Sequence, residues 1–209
     1  MSIIFQLSSQ RKEKSEQGNR FVSALIQQNP EFLSEIINCL NSENYALLGD
    51  CVEVCTMLSE GDPALIAPYS DKVIALVQHK NTRVRWEAMH TIALLAPLIP
   101  DLVFSVWEEM EKQFFSEKSV IVRDYIVVCA GNLAKSGMQY AEKIYPFLIT
   151  ALSAYQTHHA KLVLEGLKKS ISNLSGYLDE MSEIVEIYLQ HPKPSIRKAA
   201  LQLQKSIPR

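Results

Sequence analysis

Asn81-Thr82-Arg83-Val84-Arg85-Trp86-Glu87-Ala88-Met89-His90 is the stretch whose reading decides the fold. Asn81 or Thr82 can cap a helix by accepting a hydrogen bond from an otherwise unpaired first-turn amide. Behind that cap, Val84, Ala88, Met89, Ile92 and Leu95 recur at helical spacing. The Val84-Arg85 pair returns as Val122-Arg123, as Ala160-Lys161 in weaker form, and as Ile196-Arg197, in steps of 38, 38 and 36 residues. One further step back lands on Ala46-Leu47, where another apolar helical run starts. A fixed period of this length is the signature of stacked helical hairpins, in which each unit buries its apolar stripe against its neighbours.

Working outward, the chain divides into a leader over 1–29 and five hairpins over approximately 30–62, 63–99, 100–137, 138–176 and 177–209. The leader carries Phe21, Val22, Leu25 and Ile26 on one helical face and is expected to cap the stack, since a terminal repeat must cover an open apolar end. Turn signals separate the hairpins: Asn29-Pro30, Gly61-Asp62-Pro63, the prolines 97 and 100, Ser136-Gly137 and Gly176. First helices are expected around Phe32–Leu40 opening at Pro30, Val73–Val77 after an interruption at Pro68, Leu102–Phe114, Ile144–Leu152 and Met181–Leu189. The expected fold class is all-α, a right-handed α-α superhelix of about five hairpins.

Composition agrees with a packed globular chain. Of 209 residues, 47% are apolar and 21% charged, and glycine numbers only 7, with no alternating strand-like segment of any length. A net charge of −2 supplies no bulk positive field for nonspecific nucleic-acid binding. Charged residues Arg11-Lys12-Glu13-Lys14 follow at once on the apolar start, unlike a secretory signal, and no apolar run approaches the ~20 residues of a membrane span. The expected location is therefore cytoplasmic, with no membrane partner.

At these residues the chain resembles the HEAT-repeat family of α-solenoids. The likeness rests on the three Val/Ile-Arg pairs, on Ala88 and Ala200 three positions after the arginine, and on Leu95, Leu133 and Ile207 ten positions after it. Pro68 and Pro146 resemble the proline that often bends the family's first helix. Where the family often carries an aspartate before the pair, this chain has Asn81, Ser119 and Lys193, and hairpins one and four have Leu47 and Lys161 in place of the arginine. The resemblance implies an inter-repeat structural role for Arg85, Arg123 and Arg197, and a non-enzymatic scaffold that holds a protein or peptide on a concave face lined by second helices. A minority of the family resemble DNA glycosylases that act on alkylated bases, which makes a DNA-binding or glycosylase-like solenoid the alternative.

On the second helices, positions one, two and five after the Val-Arg register are expected to face outward. They read Leu48, Gly49 and Val52; Trp86, Glu87 and His90; Asp124, Tyr125 and Val128; Leu162, Val163 and Gly166; Lys198, Ala199 and Gln202. That row is more apolar and aromatic than a solvated face requires, so Trp86, Glu87, His90, Asp124, Tyr125, Val128, Leu162 and Lys198 are the candidate partner-binding residues. A shifted register would bury part of the row instead. Trp86 with Asp124 and Tyr125 can form a cage for a cationic group or an extruded base, or serve as a partner-binding anchor.

No catalytic residue, cofactor or metal site is expected. Cys39, Cys51 and Cys55 lack the paired Cys-x-x-Cys turns of structural zinc sites and read as buried thiols. His158-His159 reads as a polar hairpin turn. No phosphate-binding loop, Gly-x-Ser-x-Gly or His-Glu-x-x-His motif occurs. Nucleic acid is an unlikely partner unless Lys161, Lys168, Lys169 and Arg197 line one groove.

Overall fold

The computed structural model describes residues 2–208. Among them are twelve α-helices, seven short 3-10 turns and no strand. The chain forms two compact units, Met1–Leu98 and Ile99–Arg209.

In the first unit the leader is part of the packing. A 3-10 turn at Ile3–Gln6 buries Ile3, and Leu7 behind it is fully covered. Helix α1 (Gln17–Gln28) turns Val22 and Ile26 inward and leaves Phe21 half exposed. The leader crosses its first turn at backbone distance: a Cβ on Gly18 would stand 2.6 Å from the Gln6 carbonyl oxygen, so only glycine fits. Pro30 then opens a 3-10 turn into α2 (Leu33–Asn38), which buries Leu33, Ile36 and Ile37.

Helix α3 (Tyr45–Gly61) starts at Asn44, whose side-chain oxygen accepts from the amides of Ala46 (3.1 Å) and Leu47 (3.3 Å). The segment after Pro63 runs through two 3-10 turns before a single short helix, α4 (Ser70–Ile74). Pro63 and Pro68, lacking amide hydrogens, account for that interruption. Helix α5 (Thr82–Leu95) is capped as expected, by Asn81 Oδ1 accepting from the amides of Arg83 (3.0 Å) and Val84 (3.3 Å). Helix α3 packs between α1 and α5.

The second unit holds α6 (Pro100–Ser105), α7 (Trp107–Ser116), α8 (Val120–Lys135), α9 (Met138–Thr157), α10 (Ala160–Ser170), α11 (Leu178–Leu189) and α12 (Pro194–Gln204). Helices α8, α10 and α12 pack as a row; α9 lies against α8 and α10, and α11 against α12. Trp107, Phe114 and Phe147 form its aromatic core, with Phe147 edge-to-face to the other two at 5.0 and 5.1 Å between ring centres. Burying rings of this size contributes roughly 1.5–3 kcal/mol each.

In the first unit α4 ends at Ile74, short of the expected Val77, and two first helices of the second unit also differ from the sequence expectation. The helix read over Leu102–Phe114 is broken at Val106 (φ −113°, ψ 9°) into α6 and α7. In α9, Pro146 sits inside the helix, and the departure from helical geometry falls at the far end instead. There Tyr155, Gln156 and Thr157 take left-handed φ values of 50°, 56° and 63°. Non-glycine residues rarely adopt that region, so a run of three stores strain that the surrounding contacts must offset.

The expected outward row is turned inward at about half of its positions. Leu48, Gly49, Val52, Glu87, Val163, Gly166 and Ala199 are buried. A second helix here packs against its own first helix and against neighbouring second helices, which narrows its exposed arc. The approach is tightest where α8 crosses α10: a Cβ on Gly131 would lie 2.6 Å from Gly166 Cα.

Candidate functional site

Each unit presents its own second-helix face. In the first, Trp86 and His90 are half-buried and Glu87 is 8% exposed. The Trp86 indole donates to Glu87 Oε1, and Thr56 on α3 donates to Glu87 Oε2 at 2.9 Å. Thr56 and Thr91 hydroxyls share a 2.9 Å hydrogen bond beneath them. Burial raises the Glu87 carboxyl above its ordinary range, against hydrogen bonds from Trp86 and Thr56 that favour the charged form. Burial also holds the His90 imidazole down to about 4, so it is neutral near pH 7. Its 3.9 Å approach to Glu60 is then a contact of a neutral ring with a carboxylate.

Beside this face lies a polar network that sequence reading did not single out. Asp50 is 1% exposed and accepts from Ser9 N–H (2.6 Å), Asn19 Nδ2 (3.0 Å) and Arg83 Nη2 (2.7 Å). Glu53 accepts from the same Asn19 and Arg83 groups at 2.6 and 2.7 Å. Burial alone would raise Asp50, but the hydrogen bonds from Ser9, Asn19 and Arg83 outweigh it and hold the carboxyl below its usual range. The network ties the leader, α1, α3 and α5 together. Its sequence signal is Asp50 and Glu53, three apart on one face of a mostly apolar helix, with Arg83 about one repeat later.

The arginines expected to bridge repeats act in different ways. In the first unit Arg83 makes the bridge from α5 to α3, while Arg85 Nη1 grips the carbonyls of His79 (2.9 Å) and Lys80 (3.1 Å) in its own hairpin loop. Residues two apart on a helix point to nearly opposite sides, so the two roles fall to different positions. Arg197 repeats the loop grip on His191 and Pro192 carbonyls at 2.9 and 2.8 Å. The likeness extends to the backbone: Asn81 N–H and Lys193 N–H each donate to the Nδ1 of the histidine two residues before, at 3.1 Å. Arg123 does reach the next hairpin, with its guanidinium 3.6 Å over the Tyr155 ring.

In the second unit Asp124, Tyr125 and Val128 on α8 and Leu162 on α10 are half-buried, and Lys198 on α12 is exposed. Trp86 thus belongs to the face of the first unit, and Asp124 and Tyr125 to that of the second. Asp124 Oδ1 meets His159 Nδ1 at 2.7 Å. His158-His159 is therefore only half a polar turn: His158 is exposed, while His159 has no exposed surface and packs edge-on to Phe114 and Tyr155. The Tyr155 hydroxyl donates to the Phe114 and Phe115 carbonyls at 3.0 Å, which holds the left-handed segment in place.

All four cysteines are free thiols; Cys51, Cys55 and Cys129 are buried and Cys39 is half-buried. Burial pushes Cys55 and Cys129 up to about 12 and Cys51 higher still, so these sulfurs stay protonated. Among the described residues no group of three His, Cys, Asp or Glu side chains is placed to hold a metal ion. No described helix is long and apolar enough to cross a membrane.

No known family profile matches the chain. Nor does any curated protein match it by sequence. Solved structures do match over nearly the whole length. A designed armadillo repeat protein in complex with the peptide (KR)4 superposes with a TM-score of 0.73 at 16% identity, over 99% of this chain and 98% of that one. Two engineered proteins superpose with TM-scores of 0.70 and 0.71 at 13% and 12% identity, each over 98% of this chain and over 94% and 96% of their own. The chain is an all-α helical repeat solenoid.

Proposed function

We propose that this chain is a non-enzymatic scaffold of HEAT-like repeats that holds a protein or peptide on the face of its second helices. The observation that carries the reading is the chemistry of that face. Trp86 on the second-helix face of the first unit, and Tyr125, Val128 and Leu162 on that of the second, are half-buried apolar or aromatic groups on faces otherwise lined by polar side chains. A peptide complex of a designed armadillo repeat protein, built on the same fold, adds support. Rings that sit at the centre of an interface contribute about 2 kcal/mol or more on truncation, close to a thirtyfold change in affinity. The test is to select binders from a random peptide library on the intact chain, then measure their Kd with Trp86→Ala and Tyr125→Ala combined. The double variant, shown folded by its melting curve, is expected to lose at least tenfold in affinity. A folded double variant with unchanged Kd would remove these residues from the binding face.

A further inference from the structure

We infer that the groove between α10 and α12 is a docking site for an acidic, extended peptide segment. The inference rests on the scaffold reading and gives its partner a chemistry. The groove encloses about 370 Å³ and lies wholly within the second unit. Its walls carry three lysines: Lys161 and Lys168 from α10 and Lys198 from α12. Against them stands one acid, Glu165, whose carboxylate lies 3.7 Å from Lys161 Nζ one helical turn away. Neither Lys168 nor Lys198 has an acidic partner among the described residues. The groove is therefore locally positive on a chain whose net charge is −2.

The remaining lining suits a peptide. Ala199 has only a methyl group to occupy space between the lysines, and Ser195 and Gln202 offer a hydroxyl and an amide to main-chain groups. Lys168 Nζ already reaches Gln202 Oε1 at 3.5 Å, so the ammonium hangs over the groove rather than away from it. Lys161 and Lys168 are seven residues apart, about 10 Å along the helix axis. In a segment extended as a polyproline-II helix, with three residues per turn, carboxylates three residues apart share one face and span about 9 Å. Nucleic acid fits less well: no aromatic ring lines the groove for a base to stack on, and Glu165 would oppose a phosphate backbone.

Each exposed lysine–carboxylate pair changes affinity by a factor of about 1.4 to 5. The test uses fluorescence anisotropy at low salt with the intact chain and three labelled probes. They are a twelve-residue Ser/Gly peptide with glutamate at every third position, its lysine-for-glutamate counterpart, and a single-stranded thymidine oligonucleotide of equal length. The glutamate peptide is expected to bind more tightly than either other probe, with affinity falling as salt rises. Lys168→Gln combined with Lys198→Gln should weaken it by about two- to twenty-five-fold, while Lys135→Gln with Lys143→Gln, exposed elsewhere in the same unit, should leave it unchanged. Tighter binding of the oligonucleotide would overturn the inference in favour of nucleic acid. Equal binding of the glutamate peptide by parent and groove variant, or none by the parent, would also overturn it. If library-selected peptides still bind the parent in either of those cases, the scaffold reading stands alone; if no peptide of any kind binds, both fall.

Discussion

Replacing Gly131 with alanine tests the close crossing of helices α8 and α10. In an isolated helix the change would stabilise by about 1 kcal/mol, because glycine loses more backbone freedom than alanine on ordering. Here the new Cβ would stand 2.6 Å from Gly166 Cα, and the obstacle is the backbone of α10, not a side chain that can swing aside. Helices α8 and α10 would have to separate by on the order of 1 Å to restore ordinary contact, and overpacking of this kind costs about 1–3 kcal/mol. Each kcal/mol moves Tm by roughly 2–4 °C in a chain of this size. The cost less the propensity gain leaves a net loss of up to about 2 kcal/mol, a few degrees, for Gly131→Ala. The reciprocal Gly166→Ala meets Gly131 Cα at 3.1 Å, so its strain and its propensity gain should nearly cancel. Gly61→Ala is the reference: its nearest neighbour is the mobile end of Gln27 at 3.3 Å, and it should be neutral or stabilising. Thermal and urea denaturation followed by helical circular dichroism measure all three. Gly131→Ala at or above the parent Tm would refute the close crossing of α8 and α10.

Arg83→Met leaves Asp50 and Glu53 without their cation and should cost about 1–3 kcal/mol, discounted because Arg83 is itself 36% exposed; urea titration at pH 7 reads it. Because the folded Asp50 carboxyl is depressed, the stability it contributes is present above the unfolded carboxylate range and lost as pH falls through its folded value, so the parent–variant gap should close in acid. Glu87 behaves oppositely: its folded carboxyl is raised, so its contribution is present below the unfolded value, about 4.3, and lost as pH rises through the folded one. Glu87→Gln should therefore match or exceed the parent at pH 7 and flatten the stability–pH curve just above that point; a lower Tm at pH 7 with an unchanged curve would contradict it. In native protein the half-buried Cys39 should react first with a thiol reagent at pH 8, with Cys51, Cys55 and Cys129 reacting only on unfolding, as mass spectrometry of alkylated peptides would show.

Much of the architecture is legible in local patterns. Asn81 announces α5 because capping acts within three residues, and its side chain accepts the expected amide bond; Ser119 caps α8 in the same way. Ala88 and Ala200 have no exposed surface, as their places in the repeat require. What escaped the sequence is set by partners distant along the chain. The close crossing of Gly131 and Gly166 turns a residue on the expected outward row into an interhelical contact. His159 is drawn inward by Asp124, 35 residues earlier, and Arg83 takes up the bridging that the pattern suggests for Arg85. The left-handed run at 155–157 carries no glycine, so no local signal marks it; it is held by Tyr155 reaching carbonyls some 40 residues away. The partner face is legible only as a set of candidates, because a register that repeats the apolar stripe does not say how narrow the exposed arc becomes once second helices pack against one another.

Photo-crosslinking tests the central claim most directly. A peptide selected on the intact chain is synthesised with a photoreactive phenylalanine analogue at successive positions, irradiated in complex, and the attachment sites are read by mass spectrometry. The account predicts attachment on the second helices, at or beside Trp86 and His90 on α5, Tyr125 and Val128 on α8, Leu162 on α10 and Lys198 on α12. Attachment concentrated on the first helices α7, α9 and α11, with the second helices unlabelled, would contradict it.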